Sequence, residues 1–124
     1  MAGGIYIHIP FCLKKCFYCD FYSEAADDKD LRALYIGALL ADIEFYGKKY
    51  GKASGKAPGS FEADTIFFGG GTPSLMEPEH IETVISALKE KFNVAENAEI
   101  TMEANPATLS ASKLCGYKNA GVNR

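Results

Sequence analysis

Three cysteines near the amino terminus have a spacing that suits metal binding. Cys12, Cys16 and Cys19 follow the pattern C-x3-C-x2-C, so all three fall within eight residues. Three thiolates this close together can converge on one soft metal centre without ligands from the rest of the chain. An iron–sulfur cluster of the 4Fe-4S type usually takes four cysteine ligands. Three cysteines would therefore leave one iron open to an exogenous ligand, as a catalytic zinc site keeps one position open.

Two other uses of these thiols remain open on spacing alone. The pair Cys16-Phe-Tyr-Cys19 could form a thioredoxin-like redox motif, although Cys12 would then have no role. A structural zinc would need a fourth ligand, for which Cys115 is available. That residue is better explained as a small apolar side chain packed in a helix. The spacing favours an iron–sulfur centre first, zinc second and a redox pair third.

A glycine run and a carboxylate are the next candidates for binding. The run from Gly69 to Gly71 is not followed by Gly-Lys-Ser/Thr and contains no GxGxxG, which excludes the usual phosphate and dinucleotide loops. Glycines let a ligand approach the backbone and allow positive φ, whereas a tight turn is the plainer explanation. Glu103 alternates with Ile100 and Met102, so it faces the other way. A solvated carboxylate is its ordinary explanation, and an inward-facing one would need polar partners.

The two histidines are assigned to no site. His8 lies within an apolar segment and is predicted to be a hydrogen-bonded interior side chain rather than a metal ligand. His80 lies near a predicted helix start and is predicted to be solvated.

These candidate residues follow short apolar segments that alternate with amphipathic ones. Strands are predicted at residues 5–9, 65–68 and 99–103, and a flexible connection at residues 47–60. Helices are predicted over residues 31–46, from Pro78 to about residue 92, and more weakly over residues 110–119 with an interruption at Gly116. The first two helices are predicted to pack through apolar faces formed by Leu31, Leu34, Tyr35, Ala38, Leu39, Ile43 and Tyr46, and by Ile81, Val84, Ile85, Leu88 and Phe92.

The alternation of strands and helices predicts an α/β fold. Strands joined by helical crossovers lie parallel, with right-handed connections. An open three-stranded parallel sheet is a poor end point, and a closed (βα) barrel takes about 250 residues. Residues 1–124 are therefore interpreted as three βα units, the first half of a barrel that stops before its fourth strand. The cysteines and the glycine run follow strands, and Glu103 is the last residue of one, so all lie at the end where barrel enzymes place their chemistry.

Composition narrows the function classes. Hydrophobic residues make up 48% and charged residues 23% of the chain, as in ordinary globular proteins. A net charge of -3 argues against a nucleic-acid surface, which would show a clustered basic face. The apolar runs are too short for a transmembrane segment, and the amino terminus does not have the pattern of a secretion signal. The cysteines are therefore interpreted as reduced thiols or metal ligands in the cytoplasm.

Several motifs resemble those of one known family. The run Tyr6-Ile-His-Ile-Pro-Phe-Cys12 followed by Cys16-Phe-Tyr-Cys19-Asp-Phe looks like the start of a radical S-adenosylmethionine domain. The match is to the oxygen-independent coproporphyrinogen III oxidase family. Its next motifs are similar to Phe68-Gly-Gly-Gly-Thr-Pro-Ser74 and Met102-Glu-Ala-Asn-Pro106, and Ala120-Gly-Val-Asn-Arg124 resembles the run into its fourth strand.

This resemblance implies a partial TIM-like barrel and a set of cofactor contacts. It implies that Cys12, Cys16 and Cys19 hold a 4Fe-4S cluster, which takes an electron from a donor protein and passes it to the sulfonium of S-adenosylmethionine. It also implies that Glu103 contacts the polar part of that cofactor, with the turn of Gly70, Gly71 and Thr72 against its methionyl end. In the same way, Tyr6 is expected near the methionine and Tyr18 beside the adenine.

One departure from the family pattern bears on function. The oxidases carry a further cysteine two residues after the third cluster ligand, where this chain has Phe21. The Cys-Asp-Phe form resembles the haem chaperone branch, which binds haem and delivers it to respiratory-chain proteins. A haem-trafficking role is therefore predicted first. Oxidative decarboxylation of coproporphyrinogen III comes second, so catalysis stays open, and a zinc-stapled binding module without cofactor chemistry is the remote alternative.

Overall fold

The structure, a computed structural model, describes residues 2–12, 24–25, 29–52 and 61–124. Among the predicted site residues, Cys16, Tyr18 and Cys19 lie outside the described residues, as does Phe21. The strands of the described part are β1 (Ala2–Ile9), β2 (Phe11–Cys12), β3 (Glu24–Ala25), β4 (Glu62–Gly70) and β5 (Val94–Met102). Its helices are α1 (Lys29–Tyr50), α2 (Pro78–Lys91) and α3 (Ala111–Ala120), with short 3-10 turns at Pro73–Leu75 and Pro106–Thr108.

The three long strands form one parallel sheet in the order β1-β4-β5. In its register Ile7 lies beside Phe68, which lies beside Met102. The predicted parallel α/β arrangement is confirmed, and each strand is longer than its apolar segment suggested. The two-residue strands β2 and β3 form a separate parallel pair, in which Cys12 lies beside Ala25. Both ends of the segment that carries Cys16 and Cys19 are therefore close together.

The two faces of the sheet differ in what covers them. Side chains such as Ile9, Ile66 and Ile100 are buried in a single core with residues of all three helices. On the opposite face, Tyr6 is 56% exposed and Phe67 is 37% exposed. The helices thus cover one face only, as they do on the outside of a (βα) barrel, where the other face lines the interior.

The chain also runs along the outer edge of β5. The Arg124 amide donates to the Ile100 carbonyl and the Arg124 carbonyl accepts from the Met102 amide, both at 3.1 Å. These two bonds have the pattern of a parallel ladder. They are consistent with a fourth strand beginning here, which stays a prediction.

The predicted packing face of α1 is wrong at several positions. Leu34 is 72% exposed, and Leu31 and Tyr46 are exposed as well. Ile43 is buried as expected, but the other buried side chains are Arg32 and Ile36. Arg32 is held inside because its Nη1 donates to the Leu75 carbonyl at 3.0 Å. Apolar residues occur all round this helix, so periodicity alone could not select the face.

The other two helices follow their predictions more closely. Helix α2 begins at Pro78, and its whole predicted stripe is buried. Helix α3 is capped by Ser110, whose Oγ accepts from the Lys113 amide at 3.1 Å. It is not interrupted at Gly116, because a residue without a side chain fits the close contact with Pro78.

Three smaller expectations need correction. Cys115 lies in α3 as predicted, but it is exposed, unlike a typical small apolar residue. His80 is only partly exposed, and its Nδ1 is buried without a partner in the described part of the chain. Helix α1 continues to Tyr50, into the segment predicted as a flexible connection.

Among the residues described, no helix is long and apolar enough to cross a membrane.

Candidate functional site

The glycine turn after β4 lies directly against the first cysteine. The Gly71 amide donates to the Ile9 carbonyl at 2.7 Å, and the Thr72 amide donates to the Phe11 carbonyl at 2.6 Å. A Cβ on Gly71 would lie 2.5 Å from the Phe11 carbonyl oxygen and 2.9 Å from the Cys12 Sγ. The turn and the cysteine segment are thus built as one unit, and only a residue without a side chain fits between them.

Gly70 is required for a second reason. Its φ is +108°, in the region that favours glycine. A Cβ at this position would lie 2.7 Å from the His8 ring and 2.8 Å from the Ile9 carbonyl oxygen. The glycine run is therefore a turn fitted closely to the end of β1, and this fit places its backbone at the carboxyl end of the sheet.

Replacing Gly70 with alanine should destabilise the protein. Backbone strain at such a φ costs about 1–3 kcal/mol, and the contact with His8 adds to it. We expect the free energy of unfolding to fall by at least that amount, measured by chemical denaturation of a full-length version.

Gly37→Ala is the matched control for this substitution. Gly37 lies in α1 with open space around the position of a Cβ, so alanine should leave stability unchanged or raise it by up to about 1 kcal/mol. Equal effects of the two substitutions would show that the turn tolerates a side chain.

Glu103 and Tyr6 meet on the open face of the sheet. Glu103 follows β5, and its amide donates to the Phe68 carbonyl at 3.0 Å. A Cβ on Gly69 would lie 3.1 Å from the Glu103 Oε1 and 3.0 Å from the Tyr6 Cε2. The carboxylate and the phenol ring therefore converge above Gly69, beside the glycine turn.

A short polar chain links Tyr6 to the turn. The Tyr6 hydroxyl and the His8 Nδ1 share a hydrogen bond of 3.0 Å, and the His8 ring lies against Gly70. The Tyr35 hydroxyl of α1 donates to the His8 carbonyl, which ties the helix to this part of β1. Partial burial, and then the nearby Glu103 carboxylate, raise the pKa of Tyr6, so its hydroxyl stays protonated at neutral pH.

The structure brings most of the described candidates together. Cys12 contacts the turn of Gly70, Gly71 and Thr72, and Tyr6 and Glu103 meet next to it. Cys16, Cys19 and Tyr18 are outside the described residues, so their positions stay predictions. Within residues 2–12, 24–25, 29–52 and 61–124, no three His, Cys, Asp or Glu side chains are placed to hold a metal ion.

Sequence reasoning left two residues of this region without a role. His8 is hydrogen-bonded as expected, but it is half-exposed on the open face of the sheet rather than interior, and its contact with Gly70 was not foreseen. Because side chains alternate between the two faces of a strand, His8 lies on the same face of β1 as Tyr6. Ser74 is fully buried and joins the two loops of the site. Ser74 lies far from Glu103 in the sequence, so no local pattern could have indicated that it has a role in this region.

Comparison with known proteins identifies the family. The model of the radical SAM superfamily matches residues 6–124. The chain belongs to the radical SAM superfamily. The solved structure of the coproporphyrinogen III oxidase HemN from Escherichia coli, described as a radical SAM enzyme, matches with a TM-score of 0.84 and 26% identity. That match covers 98% of this chain and 26% of HemN.

Curated relatives in the superfamily include proteins named as heme chaperones and as porphyrinogen oxidases. The heme chaperone HemW of Buchnera aphidicola subsp. Schizaphis graminum is 42% identical over 98% of this chain and 30% of its own length. The oxygen-independent coproporphyrinogen III oxidase of Bradyrhizobium diazoefficiens is 32% identical over 99% of this chain and 26% of its own length. The chain thus spans about 30% of the length of the heme chaperones that it matches.

Membership in the radical SAM superfamily implies a 4Fe-4S cluster and S-adenosylmethionine. The described residues fit both groups. Cys12 is a free, partly exposed thiol in β2, just after the carboxyl end of β1, and is the kind of donor that iron–sulfur clusters use. The residues of the glycine turn beside it are half-buried rather than buried, and the Glu103 carboxylate next to that turn can accept hydrogen bonds from a cationic ligand.

Proposed function

We propose that this chain is the cluster-binding and S-adenosylmethionine-binding part of a haem chaperone. The observation that carries the proposal is Phe21, which stands where the porphyrinogen oxidases have a further cysteine. The identities support it, because the chain is 42% identical to a protein named as a heme chaperone and 32% identical to one named as an oxidase. On this proposal the protein acts in the cytoplasm and transfers haem to respiratory-chain proteins.

The residues of the site have distinct roles in this proposal. Cys12, Cys16 and Cys19 supply three thiolates and leave one iron open. When bound, the cluster supplies one-electron chemistry, for which the protein needs an electron donor. Cys12 contacts the glycine turn, so a cluster held by these cysteines would lie beside the residues proposed to bind the cofactor.

In this proposal, the glycine turn and residues on the open face of the sheet hold S-adenosylmethionine. Carbonyl groups of the turn formed by Gly70, Gly71 and Thr72 accept hydrogen bonds from the ammonium group of S-adenosylmethionine. Glu103 binds the polar part of the same molecule, and Tyr6 packs near its methionine. Tyr18 lies beside the adenine. The convergence of Tyr6 and Glu103 above Gly69 supports this assignment.

The second candidate is oxygen-independent oxidation of coproporphyrinogen III, with loss of carboxyl groups from its propionates. The fold similarity to HemN, with a TM-score of 0.84, favours it. Both candidates need the same cluster and cofactor, so this part of the protein serves either one. A zinc-stapled module has no support beyond the cysteine spacing and is not proposed.

Haem binding and porphyrinogen turnover separate the two candidates. A full-length version with its cluster reconstituted should bind haem at one equivalent per chain, measured by absorbance titration. It should convert no coproporphyrinogen III to protoporphyrinogen IX under anaerobic, reducing conditions. Turnover with release of 5′-deoxyadenosine would reverse the ranking.

Cys115→Ala is the control for adventitious haem ligation. Cys115 is an exposed thiol on α3, and an exposed thiolate can bind haem iron without any built site. Haem binding should be the same in this variant as in the wild type. Loss of binding would show that the titration had measured Cys115 and would remove support for the chaperone.

A further inference from the structure

A buried hydroxyl group joins the two loops that carry the proposed cofactor residues. Ser74, two residues after Thr72, has no exposed surface. The Asn105 amide donates to the Ser74 Oγ at 3.0 Å, and Asn105 lies two residues after Glu103. The Ser74 hydroxyl also bonds to the Thr108 hydroxyl, which in turn donates to the Asn105 carbonyl at 2.7 Å.

These bonds form a small closed ring. All are satisfied when the Ser74 hydroxyl accepts from the Asn105 amide and donates to the Thr108 hydroxyl oxygen, because a hydroxyl is one donor and an acceptor at once. An alanine at position 74 would remove both functions.

The backbone of Ser74 is itself held firmly. Its carbonyl accepts from the Lys113 Nζ at 2.9 Å and from the Tyr117 hydroxyl at 3.0 Å, both from α3. The Tyr117 hydroxyl has a single proton, which the Ser74 carbonyl shares with the Met76 carbonyl oxygen at 2.5 Å. Burial, followed by the charges of Glu77 and Glu79, raises the pKa of Tyr117 to about 12, so it remains a donor at neutral pH. Ser74 is therefore a fixed point to which Asn105 is attached.

Two hydrogen bonds enclose the proposed cofactor residues. On the strand side, the Glu103 amide donates to the Phe68 carbonyl at 3.0 Å. On the loop side, the Asn105 amide donates to the Ser74 Oγ at 3.0 Å. The first segment, from Phe68 to Ser74, contains the glycine turn. The second segment, from Glu103 to Asn105, carries the carboxylate. The second bond thus limits how far Glu103 can move from the turn.

We propose that Ser74 is a positioning residue that holds Glu103 at a set distance from the glycine turn and thereby sets the affinity for S-adenosylmethionine. The proposal rests on the proposed function, in which Glu103 and the turn bind that cofactor. Ser74 does not touch the cofactor in this scheme, and its effect passes through Glu103.

Loss of the Ser74 hydroxyl should change the position of Glu103 more than it changes the stability of the protein. Asn105 is exposed, so water can replace the acceptor that its amide loses. Thr108 keeps the Asn105 carbonyl as a partner. The Ser74→Ala protein should therefore fold and load its cluster, with faster amide hydrogen exchange at residues 103–105.

The test is a double-mutant cycle on a full-length version with its cluster reconstituted. Ser74→Ala should raise the dissociation constant for S-adenosylmethionine about fivefold to tenfold, measured by calorimetry. Glu103→Ala should raise it at least as much. The double variant should bind no more weakly than Glu103→Ala alone, because the effect of Ser74 requires the carboxylate. Ser86→Ala, at an exposed position of α2, should match the wild type.

The outcomes distinguish the two proposals. Losses of affinity that add in the double variant would overturn the positioning role while leaving the cofactor site in place. Glu103→Ala with unchanged affinity would overturn the assignment of Glu103, and the positioning role with it. If Ser74→Ala does not fold, Ser74→Cys replaces it in the same cycle, because a thiol is a weak acceptor of similar shape.

Discussion

Replacing Cys12, Cys16 or Cys19 with alanine should remove nearly all iron and the brown colour from the anaerobically reconstituted protein. The wild type should bind about four irons per chain, the content of one 4Fe-4S cluster. Three thiolates already leave one iron without a protein ligand, so losing another thiolate leaves two irons without one. We expect iron and sulfide assays on each variant to fall to near zero.

Cys115→Ala is the matched control for these variants. Cys115 is also a free thiol, but it lies exposed on α3, whereas Cys12 lies next to the glycine turn. Its replacement should change neither iron content nor colour. Zinc in place of iron, or equal dependence on Cys115, would contradict the cluster assignment and revive the zinc site that spacing alone left open.

Self-association of the isolated 124-residue chain is the second large effect that we expect. Within the described residues, β1 pairs with β4 on one side only, and its other edge has no neighbouring strand. An apolar groove of about 780 Å³ runs along that edge beneath α1, lined in part by Tyr35, Tyr46 and Phe92. Unpaired strand edges are templates for association, and contiguous apolar surface marks contact sites.

The open face of the sheet adds to this surface. Tyr6 and Phe67 are exposed there, and in a closed or nearly closed barrel an opposite wall would cover them. Burial is worth roughly 25 cal/mol per Å². A missing wall of several hundred Å² therefore removes stabilisation comparable to the ~5–15 kcal/mol net stability of a domain.

Size-exclusion chromatography with light scattering measures the self-association of the isolated chain. Amide hydrogen exchange measures how stable its strands are. We expect oligomers or a broad elution profile, with rapid exchange in β1. A full-length version is the control and should elute as a defined species. A sharp monomer peak from the isolated chain, with slow exchange in β1, β4 and β5, would show that the three units are self-sufficient.

Much of the fold follows from local sequence pattern. Alternating strand and helix signals imply parallel strands, because a helical crossover returns the chain to the same end of the sheet. The stripe of α2 has the helical period, and all of its residues are buried. Strand alternation also places Glu103 on the opposite face of the sheet from Met102, which packs against the core. These features depend on periodicity, which a single segment carries by itself.

The packing face of α1 was decided by tertiary structure. Its sequence has apolar residues on every side, so several faces satisfy the helical period about equally well. Contact with the 3-10 turn at Pro73–Leu75 selects one of them, because Arg32 donates to the Leu75 carbonyl there. Leu34 is left exposed as a result, although it is among the most apolar residues of the helix.

The sequence by itself indicated a metal site, because the three cysteines lie within one short motif, and the resemblance to a known family implied which residues would contact a cofactor. Only the tertiary structure decided how those motifs meet. Cys12 lies against Gly71, Tyr6 against Gly69, and Ser74 bonds to Asn105, 31 residues further along the chain. Such contacts depend on strand register and on hydrogen bonds between distant segments, and local spacing carries no information about either.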